Sequence, residues 1–540
     1  MKKILQFFSR YDRLYLGLWS LLFITIWKNM LVFDGTYYWT GWKNIAGDWT
    51  MHFQYIYNFL YRPFPLPYHP LYWGVPFRYH FAADALSALG LKFGLPLIPV
   101  IMLQSICFSI LLVVTIYTFY RMIYEDRRVA TIAMVLFLFN GGLGFIFHFL
   151  HLIKPSDIIT PFSSILEFTH IESWNIHWIN FITAEFIPQR PFLMGMPIAV
   201  FGFINLWKIY QNRRSGISRT QACFAGILIG LLPVIHIYSY VVVIGVALYL
   251  ATLSAHSKTK GYLWAWFFIP LLCISACIFY FIIGLPVSYI QLQPGWLAPH
   301  GLWQFMWFWV KNIGVMVVFI PLSFFAVPKK IKVLSVPFTL LFILSNIFIF
   351  QPHSWDNRKF LLYWYFFSSG MVAYMLIKMY QRHHFLTFFL AIILFYTSIA
   401  SGALDVANLY NFNHNKYRLF SIDDMRFAQA IRARTTPQSV FLTYPGNSWL
   451  SIVLGRQIIM GFEAWIDNLG INPKQREHDI QLIYEGDQQA LALLKQYHVD
   501  YVIIGPNENR YSNINRHYFT QFPVLESMPD TIIYDVRTKR

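Results

Sequence analysis

The chain has 540 residues, of which 57% are hydrophobic, 19% are aromatic and only 12% are charged. Soluble proteins carry about 25% charged residues, so this composition excludes a soluble globular protein and predicts a membrane protein. The net charge of +17 does not indicate nucleic-acid binding, because the basic residues lie mostly in short clusters between apolar runs. The four cysteines lie within apolar stretches, which predicts neither disulfides nor a zinc site.

Apolar runs of about 18 residues or more predict about eleven membrane-spanning helices, because about 20 residues cross the hydrocarbon core. The predicted spans are 14–33, 96–120, 129–151, 191–210, 220–236, 239–255, 262–283, 303–326, 333–350, 360–379 and 384–402. The fifth and sixth share the apolar run 231–243. That run predicts either a tight hairpin with His236 and Tyr238 at the outer surface or one broken helix.

Basic clusters predict the orientation of these helices. They precede the first span and follow every second span, so with eleven spans they all lie on one side of the membrane. Because cytoplasmic loops carry excess Lys and Arg, the N-terminus is predicted in the cytoplasm and the C-terminus outside. The clusters consist of Lys2, Lys3, Arg10, Arg13, Arg127, Arg128, Arg213, Arg214, Arg219, Lys258, Lys260, Lys329, Lys330, Lys332 and Arg382. No small-residue cleavage site follows the first helix, so we expect it to be retained.

Three outer segments, 34–95, 152–190 and 404–540, are too long to be simple connectors, and we expect them to carry the function. The first contains two helical patterns, 48–61 and 80–93. These predict amphipathic helices lying along the outer membrane surface. The Pro- and aromatic-rich stretch between the two patterns cannot be regular helix.

The last outer segment differs in composition from the preceding chain, so residues 1–403 are predicted as the transmembrane domain. It has strand-like runs at 439–444, 499–505 and 531–536. These alternate with helical runs such as 423–434, and such alternation predicts a small α/β domain in water. The predicted fold class is therefore an α-helical polytopic membrane protein with a C-terminal extracytoplasmic α/β domain.

The first outer segment contains two candidate catalytic carboxylates. Asp48 opens the first helical pattern, and His52 follows at i+4, which places both side chains on one face about one turn apart. A carboxylate at a helix N-terminus is stabilised in its ionised form, so Asp48 is a candidate general base or else an ordinary N-cap. Asp34 is the rival carboxylate, but it precedes Gly35 in a predicted turn.

Cationic residues indicate a phosphate at the outer face. Arg78, Tyr79 and His80 precede the second helical pattern, and an Arg fork pairs well with phosphate oxygens. Lys311 and Lys359 are further candidates, although Lys311 is also placed to extend to the membrane interface. The first outer segment is net basic, opposite to the usual bias of outer loops, which indicates an anionic partner.

The remaining polar candidates are Glu167 and Arg190 in the second outer segment and Asp356 between the ninth and tenth spans. They are predicted to contact substrate, and Asp356 is equally suited to anchor its basic neighbours or to bind a sugar hydroxyl. The motif HIESWNIH contains acidic and His residues but lacks HExxH spacing, so Mg²⁺ or Mn²⁺ is the only cofactor that the sequence leaves open. No Gly-rich nucleotide loop occurs, so a nucleotide-activated sugar donor is not expected.

Five stretches carry a family resemblance: GDWTMHFQYIYNF, PFRYHF, PQRPFLMGMP, WDNRKFLLYW and VDYVIIGPNE. They are similar to a bacterial branch of polytopic glycosyltransferases of undetermined substrate. The arrangement of nearly the whole chain also resembles the GT-C superfamily of integral membrane glycosyltransferases. Shared features are the cytoplasmic N-terminus, the long first outer loop with an Asp at a helix start, about eleven spans and an outer C-terminal domain.

The resemblance implies an inverting transfer of a sugar from a polyprenyl phosphate, with Asp48 as the catalytic carboxylate. One departure is that the superfamily often has paired acidic residues in this loop, whereas Gly47 and Trp49 flank a single Asp. Because the leaving group is already a phosphate, one base suffices, and cations such as Arg78 must hold the phosphate.

We therefore expect a glycosyltransferase of a bacterial inner membrane that acts on an acceptor lipid, glycan or protein at the outer face. Its other partners are the polyprenyl-phosphate sugar donor and membrane lipid, with no nucleic acid. A non-catalytic envelope protein, such as a lipid flippase or a lipid-binding assembly factor, remains the alternative. A third reading is an inactive relative that binds a partner through its outer α/β domain.

Overall fold

The computed structural model describes residues 8–150, 167–211, 216–255, 258–284, 289–382, 385–446, 449–511 and 513–539. Residues 152–166 of the second outer segment and the side chains of several predicted basic clusters lie outside the described residues. The helices of the N-terminal three quarters are α1 Arg10–Lys28, α2 Ala46–Tyr61, α3 Ala82–Lys92, α4 Leu97–Tyr124, α5 Arg127–Leu138, α6 Gly144–Leu150, α7 Arg190–Gln211, α8 Arg219–Gly230, α9 Leu232–Ile235, α10 Ile237–Leu253, α11 Lys258–Ile278, α12 Leu302–Ile313, α13 Met316–Ala326, α14 Lys329–Ser345, α15 Arg358–Gln381 and α16 Phe385–Asn408.

Several of these helices are long and apolar enough to cross a membrane. By length and composition five qualify within the described ranges, namely Leu97–Tyr124, Arg190–Gln211, Gly261–Ile283, Ser354–Gln381 and Phe385–Asn408. The bent pair α12–α13 would be a sixth, and Arg219–Ile235 and Ile237–Leu253 are shorter apolar helices. The chain therefore has the helices of a membrane protein, and the total of about eleven spans remains a prediction.

Two predicted spans are not continuous helices. The span 303–326 bends by 87° between α12 and α13 at Gly314, whose φ of 60° suits glycine. The span 129–151 is interrupted between α5 and α6, where Gly142 lies so close to another backbone that a Cβ would come within 2.1 Å of the Lys311 carbonyl oxygen. At both places a glycine interrupts the regular helix. Gly314 adopts a left-handed backbone conformation, and Gly142 allows a close contact with another backbone segment.

The shared run of the fifth and sixth spans forms a hairpin. Gly202 of α7 lies against both Ile229 and Val243, seven residues on either side of His236, so α8 and α10 run side by side along α7. His236 is buried and its Nδ1 accepts a hydrogen bond from the backbone N–H of Ser239, which caps α10. The hairpin turn thereby faces the protein interior.

The helix α2 is enclosed by protein. Ten of its sixteen residues are buried, and it packs against α3 and against the C-terminal helix α19 defined below. Its apolar residues are thus covered mostly by other segments of the chain, and the position of this helix along the membrane surface remains a prediction. The irregular stretch 62–79 next to it contains no helix, as its prolines require.

The C-terminal segment contains short strands and helices. They are α17 Phe412–Asn415, β5 Tyr417–Ser421, α18 Ile422–Arg434, β6 Val440–Leu442, α19 Trp449–Leu454, β7 Gln457–Ile458, α20 Glu463–Asn468, α21 Lys474–Glu485, α22 Ala490–Gln496, β8 Tyr501–Ile504, α23 Arg516–Phe519, β9 Val524–Met528 and β10 Thr531–Asp535. Five strands form a sheet in the order β7-β6-β8-β10-β9, parallel from β7 to β8 and antiparallel at β10. Three of these strands lie within the runs predicted to be strands.

The first outer segment and the C-terminal segment are joined by backbone pairing. The strands β1 (Leu31–Phe33) and β2 (Tyr37–Thr40) form a hairpin, and β2 pairs antiparallel with β5. The remaining short strands, β3 (Gln291–Leu292) and β4 (Phe348–Ile349), pair with each other. The guanidinium of Arg476 lies 3.6 Å from the Tyr72 ring centroid. These contacts hold the two segments together around the cavity described next.

Candidate functional site

A cavity of about 380 Å³ lies where four parts of the chain meet. They are the irregular stretch of the first outer segment, the start of α10, the residues before α15, and the loop after α20. Its lining consists of His69, Val75, Pro76, Arg78, Tyr79, His80, Ile237, Tyr238, Tyr289, Phe350, Gln351, Pro352, Asp356, Lys359, Asn468, Leu469, Gly470 and Ile471. Its size is within the range of small-molecule sites.

Five polar side chains of this lining have no hydrogen-bond or ion-pair partner among the described residues. They are Arg78, Tyr79, His80, Tyr238 and Gln351. Their polar atoms are accessible from the cavity and are available to bind a ligand there.

Asp48 lies in the first turn of α2, deep in the protein but with part of its surface accessible. It does not cap the helix, because α2 already begins at Ala46. Its carboxylate makes no hydrogen bond or ion pair with the described residues. Burial raises the pKa of Asp48, and the charges of His52 and Lys359 oppose that rise. A carboxylate in this state is a stronger base than an exposed one.

Lys359 connects Asp48 to the cavity. Its Nζ lies 3.0 Å from Asp356 Oδ1 and 4.7 Å from the Tyr238 ring centroid. The second oxygen of Asp356 accepts a hydrogen bond from the Asn468 amide at 3.2 Å. The Lys359 ammonium is thus fixed between the Asp356 carboxylate and the Tyr238 ring. Its positive charge favours the ionised form of Asp48.

Arg78 and His80 supply donors at one end of the cavity. Arg78 is exposed, and its side chain passes so near Gly284 that a Cβ there would lie 3.2 Å from Nε. The His80 ring stacks on the Tyr79 ring, with centroids 4.1 Å apart. Burial and the nearby Lys359 lower the pKa of His80. A neutral imidazole results, which can donate one hydrogen bond.

The partner of His52 is a buried network rather than Asp48. His52 Nδ1 lies 2.8 Å from Asp84 Oδ2, and Arg190 Nη2 lies 2.7 Å from Asp84 Oδ1. Arg190 Nη1 also donates to Ser87 Oγ at 2.9 Å. Arg190, predicted to contact substrate, is instead buried in this network outside the cavity lining, and His52 is held in place by it.

Two further charged residues were missing from the predicted site, namely Arg358, whose charge acts on Asp48, and its partner Glu185. Arg358 Nε donates to Glu185 Oε1 at 2.8 Å, and both side chains are nearly inaccessible. Glu185 Oε2 and Arg358 Nη1 have no partner in the described structure. Burial raises the pKa of Glu185, although Arg358 opposes the rise. A π-helix, Ile182–Phe186, presents Glu185, and such irregular turns are frequent at functional sites. Arg358 stands in WDNRKFLLYW, so the sequence did contain a signal for it.

The structure places three other predicted site residues away from the cavity. Both oxygens of Asp34 accept hydrogen bonds within its own turn, from Thr36 N, Tyr37 N and the Trp39 indole. Glu167 Oε2 lies 3.2 Å from His170 Nδ1. Lys311 donates to the Trp174 carbonyl. None of the three contributes to the cavity lining.

The described side chains do not form a cluster of metal ligands. Within the described ranges, no three His, Cys, Asp or Glu side chains come together in a way that could hold a metal ion. The Mg²⁺ or Mn²⁺ that the sequence leaves open remains a prediction.

A separate apolar space lies in the angle between α12 and α13. It has a volume of about 660 Å³ and is lined by residues of α12, α13, α14 and α15, with no charged residue among them. A second space of about 520 Å³ shares Phe305 and Phe342 with it. Hydrocarbon chains fit such linings, and the described structure offers no phosphate ligand there.

Comparisons with known proteins gave weak structural similarities. No family model and no curated protein sequence matches the chain. An Archaeoglobus fulgidus oligosaccharyltransferase tethered to an acceptor peptide with an NVT sequon is 13% identical, covering 93% of this chain and 70% of that chain, with a TM-score of 0.48. The A. fulgidus oligosaccharyltransferase AglB with an inhibitory peptide and a dolichol-phosphate is 12% identical (98% and 75% covered, TM-score 0.44), and apo ArnT from Cupriavidus metallidurans is 9% identical (97% and 97%, TM-score 0.43). These values are too low to assign a family or to carry over an activity.

Proposed function

We propose that the chain is an inverting membrane glycosyltransferase, which moves a sugar from a polyprenyl phosphate to an acceptor hydroxyl or amide at the extracytoplasmic face. Asp48 is the general base. The observation that carries the proposal is the combination of an unpaired, half-buried Asp48, whose pKa responds to Lys359, with the cavity that Lys359 lines and whose Arg78, Tyr79 and His80 have no partner among the described residues.

The proposed reaction needs one base and a set of cations. Asp48 takes the proton of the acceptor while the acceptor atom forms a bond to the anomeric carbon. The bond between that carbon and the phosphate oxygen breaks, and the phosphate leaves with the electron pair. No acid is needed, because the phosphate is already a good leaving group. The charge that accumulates on it is stabilised by fixed donors.

Arg78 and His80 are suited to hold the phosphate. They also line a small adjoining space with Pro233, Ile237 and Phe279, which belong to apolar helices. A phosphate at this end of the cavity would allow its polyprenyl chain to leave between those helices. Lys359 then lies between the phosphate and Asp48, where its charge favours both anions.

The proposal includes a place for the enzyme in the cell. We place it in a bacterial inner membrane with a cytoplasmic N-terminus, so that the cavity opens to the extracytoplasmic side. A lipid flippase or lipid-binding assembly factor would also use the apolar spaces, but it gives no role to an unpaired carboxylate beside a cationic cavity.

Turnover of a labelled donor tests the proposal. We expect the purified protein to release free polyprenyl phosphate from one member of a panel of radiolabelled polyprenyl-phospho-hexoses when acceptor-containing membranes are added. Asp48→Asn should lower the rate by about 10²-fold or more, because a general base contributes at least that factor. Asp34→Asn is the matched control and should keep the wild-type rate.

If no donor turns over in the wild type while lipid co-purifies with it, the non-catalytic alternative replaces the proposal. If Asp48→Asn stays within about threefold of the wild type, Asp48 is not the base.

A further inference from the structure

The loop after α20 brings the C-terminal segment into the cavity. Asn468, Leu469, Gly470 and Ile471 form one wall of it, facing residues of the first outer segment and of the stretch before α15. This wall comes from residues more than 370 positions away from Arg78 and His80, as the numbering shows. The site is therefore incomplete without the C-terminal segment.

The two ends of the cavity differ in chemistry. Arg78, Tyr79 and His80 also line the small space beside the apolar helices, whereas Gln351 and Asn468 do not. At the end with Gln351 and Asn468, the polar groups are two amides and the carboxylate of Asp356, whose charge is already paired with the Lys359 ammonium. Amides and carboxylates combine donors and acceptors on one plane, which suits neighbouring hydroxyl groups better than a phosphate.

Asn468 retains unused hydrogen-bonding capacity. One N–H binds Asp356 Oδ2 at 3.2 Å, and the described structure gives the side chain no other hydrogen bond. One N–H and the carbonyl oxygen therefore remain for a ligand. Gln351 has no hydrogen bond among the described residues and faces the same space. The Tyr79 and Tyr238 rings add apolar faces of the kind on which a sugar ring packs.

We infer that Asn468, together with Gln351 and Asp356, binds the hydroxyl groups of the transferred sugar and so determines which sugar is accepted. This inference rests on the proposed function. It assigns sugar selectivity to the C-terminal segment and phosphate binding to the first outer segment, so the two parts of the donor are recognised by different parts of the chain.

Binding measurements test the inference without turnover. Affinities of the full-length protein in nanodiscs would be measured by native mass spectrometry for bare C55 polyprenyl phosphate and for its glucosyl, mannosyl and galactosyl derivatives. The wild type should bind one derivative more tightly than the bare lipid. Asn468→Ala should weaken the binding of that derivative about tenfold, which corresponds to the loss of about one hydrogen-bonding group. The affinity of Asn468→Ala for the bare lipid should stay within about twofold of the wild-type value.

A matched control is Asn472→Ala. Asn472 lies in the same loop but is not part of the cavity lining. Its side-chain oxygen Oδ1 accepts a hydrogen bond from the backbone N–H of Lys474. It should bind all probes like the wild type. Gln351→Ala serves as a second variant at the same end and should repeat the selective loss.

Three outcomes overturn the inference. The first is that the wild type does not distinguish sugar-bearing from bare lipid, and the second is that Asn468→Ala changes neither affinity. The third is equal weakening of both, which would mean that Asn468 only positions Asp356 and Lys359. Failure of the proposed function looks different, since selective, Asn468-dependent binding without any sugar transfer would identify a glycolipid-binding protein.

Discussion

Two carboxylates on the neighbouring helices α2 and α3 have opposite environments. Asp84 is inaccessible, and its two oxygens are bound to His52 and Arg190. Asp48 is also deeply placed, yet it has no partner among the described residues. An unpaired buried charge costs stability, so a chain that keeps one gains something else from it. The comparison assigns Asp84 to holding the helices together and Asp48 to chemistry.

The largest effect is expected from breaking the paired carboxylate. Asp84→Ala leaves the Arg190 guanidinium buried without a counter-charge, and losing one partner of such a pair costs about 3–5 kcal/mol. We expect a large drop in the thermal unfolding midpoint of the detergent-solubilised protein, followed by intrinsic fluorescence, and little folded protein in the membrane.

The contrast with Asp48 is the control for that effect. Asp48→Asn should unfold at or above the wild-type midpoint, because it removes a half-buried charge that has no hydrogen-bond or ion-pair partner among the described residues. If Asp48→Asn destabilises the protein as much as Asp84→Ala, Asp48 is a structural residue and the distinction between the two carboxylates fails.

A smaller effect is expected from removing the unpaired guanidinium. Arg78→Ala should weaken binding of bare C55 polyprenyl phosphate by about 10- to 100-fold, since hydrogen bonds to charged groups contribute about 1.5–3 kcal/mol. Native mass spectrometry in nanodiscs would measure this. Arg476→Ala is a suitable comparison, because its guanidinium lies on the Tyr72 ring outside the cavity lining. Equal affinities in Arg78→Ala and wild type would remove Arg78 from the phosphate site.

The smallest effect is on the pH dependence of the reaction. Asp48 acts ionised and its pKa is raised by burial, so kcat/KM should fall on the acid side at a pH above the usual value for Asp of about 3.9. Lys359 favours the ionised form. Lys359→Met should therefore move this acid limb to higher pH.

His52, Arg358 and Asp356 also act on Asp48 and remain in that variant. Lys311→Met is the control, because Lys311 binds the Trp174 carbonyl and is not among these groups. If the acid limb of the kcat/KM profile of Lys359→Met stays in place or moves to lower pH, the assignment of Asp48 as the base is contradicted.

Some features of the site could be read from the sequence because they depend on local signals. Asp48 lies in the first turn of a helix that follows an apolar span, and Lys359 and Asp356 lie within four residues of each other in one motif. The turn at Asp34 had a local signal too. An Asp followed by Gly and Thr is typical of an Asx turn, in which the carboxylate binds its own backbone.

Other features depend on contacts between distant parts of the chain. Asn468 reaches Asp356 across 112 positions, and Arg190 reaches Asp84 across 106. Nothing near Arg190 in the sequence distinguishes a buried structural guanidinium from one that binds substrate. The enclosure of α2 was missed for the same reason, since its apolar residues fit a membrane surface as well as a protein interior until the C-terminal segment is packed against them.

The pairing of β2 with β5, together with the wall formed by residues 468–471, has a consequence for biogenesis. Chain synthesis proceeds from the N-terminus, so Asp48 and Arg78 are made early, and their cavity is completed only when the C-terminal segment has been synthesised. Premature termination after residue 410 would leave an inserted protein with an open, inert cavity. The last quarter of the chain must therefore be synthesised before the first outer segment can form a complete cavity.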